Sequence, residues 1–149
     1  MRGTLVLRFA AIMASLSLFE VALIFFGLLP PIFSYSPGNL VFALARLSVI
    51  AFLAYSGAKK GLVEAAKNGA ALSLASVVVM CLAALASRLW LKTPVLGISA
   101  PSDAAFFLIL AFFLLGNALI GAALAVIVAG LAARTKRSGK TSKRAEQAR

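Results

Sequence analysis

The stretch from Ala104 to Ala133, AAFFLILAFFLLGNALIGAALAVIVAGLAA, runs for thirty residues without one charged side chain. A helix on the surface of a soluble protein keeps a polar face. Here the only strongly polar residue is Asn117. A helix needs about 20 apolar residues to cross the hydrocarbon core of a bilayer. This run exceeds that, so it is expected to tilt or to protrude.

Three more apolar runs lie upstream. Leu5 to Leu29 ends at Pro30 and Pro31, which cannot continue a helix without loss of hydrogen bonds. The next run is Leu40 to Ala58, interrupted by Arg46, and the third is Ala70 to Leu91. Between them lie a turn-rich connection (PPIFSYSPGN, 30–39), a polar hinge from Gly57 to Gly69, and a second turn-rich connection (TPVLGISAPSD, 93–103). The hinge can be helical, because Glu64 is spaced to pair with Lys60 or Lys67. Ser102 or Asp103 is placed to cap the fourth helix. Trp90, between Arg88 and Lys92, marks the end of a span at headgroup level.

The pattern predicts an all-α, polytopic membrane protein. Residues 1–133 form a bundle of four transmembrane helices, at about 5–29, 40–58, 70–91 and 104–133, followed by a basic tail at 134–149. The tail has no apolar periodicity and is expected to be disordered in water. No internal repeat relates the two halves. Arg2 before the first run and Arg8 near its start suit a secretory leader. The length of that run, its Glu20 and its lack of an A-x-A site favour a retained span.

Composition agrees. The chain is 62% apolar and 13% charged, against about 45–50% and about 25% for soluble domains. A net charge of +11 would suggest nucleic acid if it were spread over a soluble surface. Its distribution instead follows membrane topology. Counted for four spans, twelve basic residues fall on the face shared by both termini and the hinge. The opposite face holds only Arg88 and Lys92. Positive residues accumulate on the cytoplasmic side, so both termini are expected to be cytoplasmic in a multi-pass protein of the cell membrane. Arg134, Lys136, Arg137, Lys140, Lys143 and Arg144 would meet anionic lipid headgroups, each adding about 1 kcal/mol of attraction, or a cytoplasmic partner.

Two charges inside the runs demand a partner. Glu20 lies roughly 14 Å, and Arg46 roughly 9 Å, below the interface at the 30–39 connection, at 1.5 Å per residue. Each is 13 residues from a turn centred near Phe33, so an antiparallel hairpin brings them to similar depth. A charge at that depth costs several kcal/mol unless paired or hydrated. An intramembrane ion pair is therefore expected, serving to fix the hairpin or to line an ion pathway.

On the fourth run, Asn117, Gly121, Ala125 and Ala129 recur at a spacing of four. Small residues at that spacing let two helix backbones approach closely. They form a helix-packing face, within the bundle or between protomers. Ser15, Ser17, Ser73, Ser76 and Ser87 can satisfy carbonyls of their own helices, and Met80 and Cys81 read as packing residues.

The chain has no histidine and one cysteine, so His-ligated haem or zinc, His general-base catalysis and an intrachain disulfide are excluded. Only one carboxylate, Glu20, is deep, which leaves no aspartyl dyad. No phosphate-binding GxxxxGK[ST] loop is present. Enzymatic activity and a cofactor are not expected.

Phe19-Glu20-Val21, in the first of four short apolar helices, resembles the small multidrug-resistance transporters. In that family such a carboxylate exchanges protons for cationic drugs. The resemblance covers only those residues. The connections here are longer than that family's, and its later aromatic and glycine pattern is not evident. The expected function is a non-catalytic accessory, assembly or scaffold component acting through helix–helix contacts. The alternative is a small homo-oligomeric transporter or channel that uses the Glu20–Arg46 pair.

Overall fold

A computed structural model describes residues 2–57, 61–91 and 94–147, with backbone alone for residues 2, 3, 91 and 136–147. Four helices are long and apolar enough to cross a membrane: α1 (Arg2–Phe25), α2 (Pro37–Ser56), α3 (Leu62–Ala86) and α4 (Asp103–Gln147). No strand occurs among the described residues. Helix α3 is the hub and packs on α1 and α4, while α2 closes the opposite side against α4 and α1.

Local sequence explains the ends. Helix α1 stops at Phe25, short of the expected Leu29, because Gly27 takes a left-handed conformation at φ +71°. The Leu28 N–H then reaches the Leu23 carbonyl at 2.9 Å, and the Gly27 N–H that of Ile24 at 3.0 Å. This double closure satisfies the last carbonyls of the helix. The hydroxyl of Ser36 caps α2, accepting from the Asn39 N–H at 3.1 Å, with Pro37 preset for the first turn. Ser102 does the same for α4 through the Ala105 N–H at 3.2 Å.

Two further boundaries differ from those expected. Helix α3 begins at Leu62, not at 70. Glu64, Ala65, Ala66 and Lys67 are good helix formers, and Glu64 in the first turn suits the positive end of the helix dipole. Only Gly57 and Gly61 of the hinge remain outside helices among the described residues, since Ala58, Lys59 and Lys60 lie outside them. Helix α4 continues through the basic segment to Gln147, where the sequence suggested a disordered tail from 134. Extending an existing helix avoids the costly nucleation step, and Lys, Arg, Glu, Gln and Ala in that segment extend it readily.

At its far end α3 passes into a π-helical turn, Ser87–Leu91. The two turn-rich connections bond to each other there: the Ile32 N–H donates to the Val95 carbonyl (3.0 Å) and the Phe33 N–H to that of Leu96 (3.2 Å). Gly97, at φ +73°, sits where a side chain would strike Pro31. The Phe33 ring meets Phe113 of α4 edge-on at 5.3 Å. The connections thus form one lid across that end of the bundle.

Candidate functional site

The centre of the molecule is built on helix faces that are apolar except at a few positions. Ser17 and Glu20 lie one turn apart on the inward face of α1, both with 0% exposure, between Met13 and Val21. Arg46 projects from α2 toward them. Its Nη1 lies 2.5 Å from Glu20 Oε2 and donates a longer bond to Ser17 Oγ at 3.5 Å. Ser17 donates to the Met13 carbonyl at 3.1 Å, and its oxygen is 2.5 Å from Ser76 Oγ of α3. One turn earlier on α3, Ser73 donates to the Asn117 backbone carbonyl of α4 at 2.7 Å.

These contacts tie all four helices together. The equal counting from Phe33 is what places Glu20 opposite Arg46, and the flexible Arg side chain takes up the offset in depth. A buried ion pair recovers its desolvation cost only when its geometry is good and the remaining polar atoms are satisfied. Here satisfaction is incomplete, because Glu20 Oε1 has no hydrogen-bond partner. The side chain of Arg46 retains 13% exposure and faces a cavity of about 220 Å³ between the helices, lined also by Met13, Ser73, Ser76, Phe113 and Asn117.

The small-residue face of α4 points inward. Ala125 and Ala129 are each 1% exposed, and Gly121 lies against Gly69 of α3. A Cβ on Gly121 would come within 2.6 Å of the Gly69 carbonyl oxygen, and one on Gly69 would overlap the Gly121 carbonyl. The stripe is therefore used within the bundle. Its polar member behaves differently: the Asn117 side chain donates to Phe113 in its own helix at 2.8 Å, and only its backbone carbonyl bonds α3.

Several partners were invisible to pattern reading. Gly69 looked like the end of a hinge, and the serines looked locally satisfied. Ser73 and Ser76 in fact reach across helices, and Ser17 bonds its own helix and Ser76 together. Arg88 and Asp103 seemed to be a topology charge and a cap. They form an exposed pair at 2.8 Å, with the guanidinium 4.6 Å from the Phe106 ring centre. Asn39 donates to the carbonyls of Pro30, Pro31 and Ile32 at 2.9–3.4 Å and so organises the first connection.

Of the basic segment, Arg134 is exposed. Lys136, Arg137, Lys140, Lys143 and Arg144 have described helical backbone, but their side chains lie outside the described residues, as does Lys92. Among the described residues no group of three His, Cys, Asp or Glu side chains comes together. Compared with known proteins, the chain matches no family model, no curated protein and no solved structure.

Proposed function

We propose that this protein is a small, non-catalytic component of the cell membrane, which it crosses four times with both termini in the cytoplasm. It acts as an accessory, assembly or scaffold subunit. One observation carries the reading: the deep polar side chains are used to join helices. Glu20 is held by Arg46, Ser17 by Ser76, and Ser73 by the α4 backbone. A frame fixed in this way suits a protein that presents a surface.

The surface on offer is α4. Only 11% of its most apolar window is buried in the bundle, against 44% for α3. Phe112, Leu115, Leu119 and Leu131 lie along its exposed side. The same helix continues into the basic segment, which suits anionic lipid headgroups or an acidic cytoplasmic partner surface. Topology rests on the twelve basic residues on one face against two on the other.

Photo-crosslinking from Leu119 in native membranes tests this reading. A discrete adduct with one other protein, absent when the probe sits at buried Leu72, is expected. Crosslinks to lipid alone would refute it. A second reading, a self-associating transporter or channel, is favoured by the cavity beside Arg46. Loss of solute flux in Glu20→Gln, with folding retained, would establish that reading instead.

A further inference from the structure

The cavity between the helices has a neighbour. A second cavity, of about 440 Å³, lies under the first connection, lined by Ile32, Tyr35, Ser36, Asn39, Leu40, Ala43 and Arg46. Ile32, Ala43 and Arg46 line both cavities. Tyr35, at the rim, is 89% exposed. The two cavities thus adjoin at Arg46, one lying under the lid and the other reaching Ser73, Ser76 and Asn117.

The opposite half of the bundle is filled. Leu72, Ala125 and Ala129 are each at most 1% exposed, and the Gly69 and Gly121 backbones touch. The space beside them, under Gly57 and Asn68, is only about 10 Å³, room for at most one water.

We propose that the two cavities form a one-sided, water-filled inlet that opens beside Tyr35, passes the Glu20–Arg46 pair and ends at Ser73 and Ser76. Much of the lining is apolar, and a cavity with apolar walls alone stays dry, so the polar groups on these walls are what would hold water. This one carries a guanidinium with N–H groups to spare beyond its bonds to Glu20 and Ser17. Ser36, Ser73, Ser76 and Asn117 are among the other residues that line the two cavities. Unused donors beside polar neighbours suit water. Glu20, 2.5 Å from the guanidinium, balances its charge, so a bare ion gains little there. The inlet also accounts for the placement of the pair: the carboxylate is sealed, and the partly exposed member is the one whose unused donors need a solvent.

The inference rests on the membrane placement proposed above, and cysteine accessibility tests the two separately. In a full-length Cys81→Ala background, single cysteines are introduced as Tyr35→Cys, Ala43→Cys, Ser73→Cys and, on the lipid-facing side of α2, Leu44→Cys. A membrane-impermeant methanethiosulfonate is added to intact cells and to inverted vesicles. It reacts with thiolate, which forms only where water reaches. Ala43→Cys should label from outside at least about tenfold faster than Leu44→Cys. Ser73→Cys should label from the same side only.

Reaction of Tyr35→Cys from outside, with Ala43→Cys no faster than Leu44→Cys, overturns the inlet. Labelling of Ser73→Cys from the opposite face overturns its one-sidedness. If Tyr35→Cys labels only in inverted vesicles, the orientation is wrong, and Ala43→Cys against Leu44→Cys from that face still decides the inlet. Ser73→Cys, a near-isosteric change, carries the same decision if Ala43→Cys does not fold.

Discussion

Removing Arg46 should harm the protein more than neutralising Glu20. The carboxylate is fully buried, and among the described residues Arg46 is its one hydrogen-bond partner. Arg46→Met therefore strands a charge in a low-dielectric interior, a change that costs about 3–5 kcal/mol in comparable buried pairs. Glu20→Gln leaves the guanidinium beside a cavity, with Ser17 still in reach and 13% of its side chain exposed. Its loss should be nearer about 1.5–3 kcal/mol, the scale of a lost hydrogen bond to a charged group. In the double variant the stranded charge is gone, so it should be more stable than Arg46→Met alone. The coupling should exceed about 1.5 kcal/mol, well above the roughly 0.6 kcal/mol average for hydrogen bonds between membrane helices. Reversible unfolding in mixed micelles, followed by circular dichroism, measures all three. Equal losses for the single variants, with an additive double variant, would refute the argument, because the pair would then not be a buried, mutually dependent unit.

Other perturbations follow from the packing. Gly121→Ala drives a Cβ to 2.6 Å from both the Gly69 carbonyl oxygen and the Ser73 Cβ. Such overpacking should lower unfolding stability by about 1–3 kcal/mol. Gly116→Ala, with nothing within 4 Å of the new Cβ, should be neutral or stabilise by up to about 1 kcal/mol through helix propensity. Asn39→Ala removes the donor to three carbonyls of the first connection and should cost about 1–3 kcal/mol; it should also raise protease sensitivity near Tyr35. Asp103→Asn breaks an exposed ion pair, so its effect should stay below about 1 kcal/mol and vanish at high salt. A larger, salt-independent loss would show that Arg88 depends on more than screened attraction.

The sequence makes some features legible and hides others for physical reasons. Uninterrupted apolar length is a one-dimensional property, so the four helices could be read without knowing their partners. The meeting of Glu20 and Arg46 could be reached by counting from Phe33, because a short connection forces an antiparallel hairpin. Helix ends were harder. The stop at Phe25 depends on the conformation of Gly27, and the early start of α3 depends on polar residues that extend a helix beyond its apolar run. The contacts of Ser17 with Ser76 and of Gly69 with Gly121 depend on the rotation of each helix about its axis. Apolar composition nearly uniform around each helix leaves that rotation unmarked in sequence. Asp103 shows a further limit: one residue type serves caps and ion pairs alike, and only the approach of Arg88 decides between them.

The claim that this bundle works as a subunit of something larger is tested most directly by mild-detergent extraction from native membranes. The mass of the intact particle is then determined and every chain in it identified. The 15.5 kDa chain is expected to travel with at least one other protein at fixed stoichiometry. A particle containing this chain alone, as monomer or homo-oligomer, would contradict it.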